Sequence, residues 1–344
     1  MNKKKKSGRA GRIFLTVACI LLALLLVALL LGLMVWERLL DGIERVEGTQ
    51  STLAPEVIAS IENETDPTDE PFTGEVLRPE DVTWSTEPVE TIGKDDKNII
   101  NILLIGQDRR PGQGRQRSDS MILCTVNKEK KTLTMTSFLR DLYVQIPGYM
   151  DNRLNATYAF GGMPLLNETL ALNFGIHIDG NIEVDFSGFR EIVDIMGGVR
   201  IKLTNREAHH LNVNNDWALS AGENLLNGEE ALAYARIRKI DNDFGRTDRQ
   251  RKVLTQLLEQ SRSMTISQAT TLLTKVLDLI TTDMDNSQIT SYVWEMLPLL
   301  KDLKIVTQHI PAEGAYKSAW IRGMAVLVPD LEQNRQILRE SLLD

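Results

Sequence analysis

The sequence predicts an α/β fold: a three-layer α/β/α sandwich with a mixed central sheet, preceded by one transmembrane helix. Three observations carry this. The run Ile13 to Trp36 is 24 residues long, apolar and uncharged. Beyond residue 95, apolar runs of strand length alternate with stretches of helical period. Two of those runs, SMILCTV and TLTMTSFL, are joined by the polar turn NKEKK and read as a hairpin.

The elements follow in order. Residues 1–12 form a basic tail with Lys3, Lys4, Lys5, Lys6, Arg9 and Arg12. A spanning helix needs roughly 20 apolar residues, so 13–36 suffices. The basic tail places the N-terminus in the cytoplasm and the rest outside the cell. A cleaved signal peptide is the rival reading. Its apolar region is about 7–15 residues long and ends in small residues, whereas this run ends in Met34, Val35 and Trp36. Residues 37–95 read as an extracellular stalk, opening with a short amphipathic helix to about residue 48. Between Ser51 and Gly93 eleven acidic residues face one basic residue, with five prolines. Such a composition buries no core.

The core of the folded domain spans 96–263, and 264–344 is a C-terminal portion that completes it. NIINILLIG is a continuous apolar run suited to a buried strand. Asn155–Phe160 and Leu165–Phe174 read as helices parted by Gly161, Gly162 and Pro164. Asn181–Asp185 is a strand, and Phe189–Met196 a helix stopped by Gly197 and Gly198. Val199–Leu203 is a strand. A short helix around Gly228–Ala233 leads into a strand Tyr234–Arg238. A helix runs from Arg246 to about Ser263, LKIVTQHI is a strand, and Leu331–Leu343 is a helix after Pro329.

The net charge is −8, and the basic tail leaves −14 for the remainder. An acidic exterior domain argues against nucleic-acid binding. Cys19 lies in the apolar span and Cys124 in a strand, so they do not pair. There is no zinc-type cluster, GxSxG elbow, Walker loop or GxGxxG.

Against that acidic background, arginines and aspartates gather in three segments. IGQDRRPGQGRQRSDS holds Asp108, Arg117 and Asp119, TSFLRDL holds Arg140, and YARIRKIDNDFGRTDRQ holds Arg236, Arg238, Arg246 and Gln250. Arginine offers a planar fork of permanent donors suited to phosphate oxygens. On a strand, Arg236 and Arg238 share one face. At a helix start, Arg246 and Gln250 share another, where the helix dipole favours an anion. Asp108 and Asp119 flank a Gly-containing loop and could hold Mg²⁺ with substrate oxygens. These segments read as one pocket for a pyrophosphate and a metal. The plainer reading pairs the arginines with Asp241, Asp243 and Asp248, and Arg140 with Asp141.

LLIGQDRR, RSDSMIL, SFLRDLYVQIPG, RLNATYAFGG, VDFSGFREIVDIMGGV and ALAYARIRK with GRTDRQRKVL, in that order, resemble the LytR-CpsA-Psr family of bacterial cell-wall enzymes. The resemblance covers roughly Asn98 to Glu259. It implies a membrane-anchored, Mg²⁺-dependent phosphotransferase. Such an enzyme moves a glycopolymer (wall teichoic acid, capsule or secondary wall polysaccharide) from undecaprenyl pyrophosphate to the C6 hydroxyl of N-acetylmuramic acid in peptidoglycan. By motif, Asp108 and Asp119 match the magnesium-linked aspartates. Arg117, Arg140, Arg236, Arg238, Arg246 and Gln250 match the pyrophosphate set, and Asp108, Arg117, Asp119 and Arg140 carry the catalysis. The polyprenyl chain is expected in an apolar pocket between sheet and helices. The loop departs from the family pattern in its extra Arg109, Arg110 and Arg115. Two other functions stay open: hydrolysis of the polyprenyl-pyrophosphate glycan, and a non-catalytic polysaccharide-binding protein.

Overall fold

The computed structural model describes residues 34–46, 53, 55–62, 74–84, 89–107, 115–296 and 298–343. The chain divides into two units, residues 1–43 and 44–344. In the first, residues 34–40 are helical. The expected transmembrane run lies outside the described residues except for its last three, and among the described residues no helix is long and apolar enough to cross a membrane.

The second unit opens with strand β1 (Glu44–Arg45), helix α1 (Pro55–Glu62) and strand β2 (Glu75–Leu77). Strands β3 (Ile99–Gln107), β4 (Ser118–Asn127) and β5 (Thr132–Phe138) follow. Next come β6 (Tyr143–Val144), β7 (Asn152–Arg153), α2 (Leu154–Phe174), β8 (Gly180–Asp185) and α3 (Phe186–Ile195). Then come β9 (Val199–Leu203), α4 (Asn205–Asn215), β10 (Gly222–Leu226), α5 (Gly228–Ala235) and α6 (Asp243–Arg262). The chain ends with α7 (Ile266–Val276), β11 (Thr281–Thr282), α8 (Asn286–Met296), β12 (Lys304–Ile310), β13 (Tyr316–Ile321), β14 (Met324–Pro329) and α9 (Leu331–Leu343).

Seven strands form the central sheet in the order β1-β11-β8-β3-β4-β5-β12. The pairs β3–β8 and β5–β12 are parallel, while β3–β4 and β4–β5 are antiparallel, so the sheet is mixed. Strand residues alternate between two cores, as the pleat requires. Leu103, Ile105, Met121 and Leu123 pack with α2 and α9 on one face. Ile100, Ile102, Ile122 and Met135 pack on the other with Leu254 and Leu258 of α6 and Tyr292 of α8. A third cluster seats α5 and α6 on the antiparallel β9–β10 pair.

Two expectations change. Part of the segment read as a stalk is built into the fold: β2 pairs in parallel with β13, and Trp84 packs against Tyr143 and donates from Nε1 to Asp151 Oδ2 (2.6 Å). Its apolar residues are sparse but sit where a neighbouring sheet supplies the partner, which composition alone does not reveal. The strand Tyr234–Arg238 is instead the end of α5 and a turn. Asn227 caps that helix in a box with Glu230, and Ala231, Tyr234 and Ala235 bury one helical face. Arg236 ends it at φ −101° and ψ 0°.

Helix α2 is broken at Gly162, whose φ of 64° only glycine adopts readily. Arg115 donates to the carbonyls of Ala159 and Phe160 (3.2 and 3.0 Å); the second lacks its usual i+4 donor because Pro164 has no N–H. A side chain at Gly162 would meet Arg115 Nη1 at 2.9 Å.

Candidate active site

The site forms where the ends of β3 and β5, the start of β4 and the start of α6 converge. A β-bulge creates its first carboxylate. Gly106 pairs with Ser120 and Gln107 with Ser118, so Asp119 is the extra residue with no partner in the register. The bulge breaks the alternation that would otherwise send Asp119 to the face of buried Met121.

Arg140, two residues beyond β5, gathers three carboxylates. Its Nη1 donates to Asp119 Oδ1 (3.2 Å), and its Nε lies 3.1 Å from Asp243 Oδ2 and 3.4 Å from Asp141 Oδ2. Arg238 Nη2 donates to the same Asp119 oxygen (3.3 Å). Arg246 Nη2 donates to Asp243 Oδ2 (3.0 Å). One carboxylate oxygen on each of β4 and α6 thus binds two guanidiniums.

The electrostatics reflect this crowding. Burial opposes the charge on Arg140, but Asp141, Asp243 and Asp119 outweigh it and hold its pKa above the ordinary value. Burial, and then the neighbouring Asp243, push the Asp141 carboxyl up to about 6 against the pull of Arg140. Burial also works against the charge on Asp243, yet Arg246 and Arg140 keep it below the usual carboxylate range. Burial lowers the Arg246 guanidinium to about 10, which leaves it charged at neutral pH.

Arg246 is the most telling residue. It is 2% exposed, yet among the described residues its Nε and Nη1 have no hydrogen-bond partner. A buried charged donor without a partner costs several kcal/mol, on the order of 1–3 per group or more, and native proteins seldom carry one without purpose.

An apolar pocket opens beside this cluster. Leu104, Ile122, Ile182, Phe189 and Leu254 line it, between β3, β4 and β8 on one side and α3, α5 and α6 on the other. Ser120, Arg236 and Gln250 are its polar lining. The Arg236 guanidinium lies over the Phe186 ring, 4.5 Å from its centre.

Asp119, Arg140, Arg238 and Arg246 therefore meet as expected from the sequence, and Gln250 and Arg236 stand at the pocket. Arg117 reaches α1, where its Nη2 donates to the Ile61 carbonyl (3.1 Å). Asp108, with Arg109 and Arg110, lies outside the described residues. Among the described residues no group of three His, Cys, Asp or Glu side chains is arranged to hold a metal ion. Mg²⁺ commonly takes only one or two carboxylates and completes its shell with phosphate oxygens and water, so Asp119 meets that lesser demand.

Sequence reasoning missed Asp243 as the bridge between Arg140 and Arg246, having read it only as a neutralising neighbour. It also missed Arg249, which is 3% exposed. Arg249 donates to Glu207 Oε1 (2.8 Å), the Ile237 carbonyl (3.1 Å) and both oxygens of Asp241. It pins the turn that presents Arg238. An arginine three residues after Arg246 on a helix falls on a neighbouring face, a signal the spacing did carry.

The comparisons agree with this architecture. The LytR_cpsA_psr family model matches residues 72–341. Among curated proteins, the polyisoprenyl-teichoic acid–peptidoglycan teichoic acid transferase TagU of Bacillus licheniformis is 34% identical over 54% of this chain and 60% of its own length. The regulatory protein MsrR of Staphylococcus aureus is 37% identical over 50% of this chain and 51% of its own. The chain thus spans between half and three-fifths of these relatives. Among solved structures, TagT bound to LIIa-WTA is similar with a TM-score of 0.60 and 26% identity, covering 76% of this chain and 97% of that one. Bacillus subtilis TagV gives 0.59 and 29%, covering 72% and 98%. With a family model matching most of its length and the same fold around the arginine cluster, the chain belongs to the LytR_cpsA_psr family.

Proposed function

We propose that this protein is a phosphotransferase. It moves a glycopolymer from a polyprenyl pyrophosphate, such as undecaprenyl pyrophosphate, to the C6 hydroxyl of N-acetylmuramic acid in peptidoglycan. The observation that carries the reading is Arg246 within the cluster: a buried guanidinium whose Nε and Nη1 are unpaired among the described residues, gathered with Arg140 and Arg238 beside an apolar pocket. A lipid pyrophosphate matches both halves of that arrangement. The names of the relatives support it: TagU is named a teichoic acid transferase, and TagT was solved with LIIa-WTA.

In the reaction, the acceptor oxygen attacks the glycan-bearing phosphorus and the bond to the lipid-side phosphate breaks. Phosphoryl transfer of this kind depends on positioning and on neutralising oxygen charge. Arg140, Arg238 and Arg246 are held by Asp119 and Asp243 until phosphate oxygens replace the carboxylates as acceptors. Asp119, together with Asp108, would hold Mg²⁺, which when bound would neutralise phosphate oxygens. A carboxylate near the site can accept the acceptor's proton; Asp108 is the candidate for that role as the alternative to holding the metal. An N-terminal membrane anchor over residues 13–36, with the folded unit outside the cell, would keep the site near its lipid-linked donor.

The test uses the full chain in vesicles with a polyprenyl-pyrophosphate-linked glycan and a peptidoglycan oligomer, with and without Mg²⁺. A muramic-acid phosphodiester is the expected product. Free glycan phosphate without that adduct would replace the transferase by a hydrolase. A bound donor without turnover would replace both by a binding protein.

A further inference from the structure

We infer that Ser120 is a positioning residue: it orients the Gln250 amide so that its NH₂ group can donate to the lipid-bearing phosphate. This rests on the donor class proposed above. Ser120 Oγ donates to Gln250 Oε1 at 3.0 Å. That bond occupies the amide oxygen and leaves Nε2, which can only donate, for an acceptor other than Ser120. An amide free to flip would present its oxygen to the phosphates half the time and repel them.

The placement of the pair sets what it meets. Ser120 follows Asp119 directly, on the ordinary side of the bulge, and Gln250 follows Arg246 by one helical turn. Both also line the apolar pocket. They stand at the boundary between the anion cluster and the apolar lining, where a lipid joins its phosphate. Gly106 completes the arrangement. A side-chain carbon there would lie 3.2 Å from Ser120 Cβ, tighter than ordinary contact, so the glycine leaves Ser120 its place.

The experiment measures binding of geranylgeranyl pyrophosphate and geranylgeranyl monophosphate to the full-length protein in detergent, with melting temperature recorded alongside. Ser120→Ala is expected to raise Kd about fivefold for both ligands with the melting temperature unchanged, and Ser120→Thr to restore wild-type affinity. Gln250→Ala is expected to lose at least as much, and adding Ser120→Ala to it should cost less than about twofold more, because the hydroxyl acts only through the amide. Additive losses, no restoration by threonine, or a loss confined to the pyrophosphate would overturn the assignment. Tight wild-type binding with an unaffected Ser120→Ala would sink this inference alone. Failure of the wild-type protein to bind either ligand would sink the donor class as well.

Discussion

Helix α6 carries three buried arginines, and two of them, Arg246 and Arg249, three residues apart, have opposite fates. Arg249 is saturated: Glu207, Asp241 and the Ile237 carbonyl take its donors. Arg246 is almost equally buried and makes one described ion pair, to Asp243, with Nε and Nη1 unpaired among the described residues. Burial and charge are alike, so neither tells structure from function. Saturation separates the two, but only together with position: Arg251 is also buried with Nε and Nη1 unpaired among the described residues, yet its ion pair is to Asp248 and not to the carboxylates of the cluster. A satisfied buried ion pair holds the turn in place, while an unsatisfied one inside the cluster is poised for a group that arrives later.

The largest test of this contrast is Arg249→Ala. It would strand Glu207 and Asp241 without their cation and should cost about 3–5 kcal/mol of stability. A denaturation midpoint near wild type would erase the distinction. Arg246→Met should do the reverse. It removes a guanidinium with two of its three nitrogens unmet and leaves Asp243 paired to Arg140, so stability should hold within about 1 kcal/mol, while transfer falls about 100-fold or more. Collapse of the fold in that variant would show Arg246 to be structural after all.

Protonation sharpens the same comparison. Asp141 is raised to about 6 in the fold, above its ordinary 3.8, so its protonated form is favoured there. The stability this contributes is present at and below pH 4 and is lost as pH rises towards 6. Asp141→Asn should therefore stabilise the protein by about 1–3 kcal/mol at pH 7.5 relative to wild type, and much less at pH 4. An equal gain at both pH values would contradict the shift. The smallest effect is expected at Arg238. Its side chain is 47% exposed and shares one carboxylate oxygen at 3.3 Å, so Arg238→Ala should weaken pyrophosphate binding about tenfold with no change in melting temperature.

Most of the sheet could be read from the sequence because its strands are continuous apolar runs bounded by clear turns. The clustering of Asp119, Arg140, Arg238 and Arg246 was legible from charge that stands out against an acidic chain. Three things were not. The bulge at Asp119 depends on a register that only pairing with β3 defines. The helical path of Tyr234 and Ala235 was hidden because Arg236, Ile237 and Arg238 alternate exposed, buried, exposed even in a turn. The bridging role of Asp243 needs Arg140, 103 residues distant, to be brought beside it.

The central sheet also sets a schedule. Its inner strands come from residues 99–185, but its neighbours on both sides, β11 and β12, come from the last quarter of the chain. Contacts such as Thr281 to Glu44 and Gln308 to Thr136 span 237 and 172 residues. Such long loops make closure slow, and the flanks of β5 and β8 stay open until the late strands arrive. A ribosome or export channel that releases this chain from its N-terminus therefore delivers an unfinished sheet. The working protein is completed only after nearly all of it has emerged.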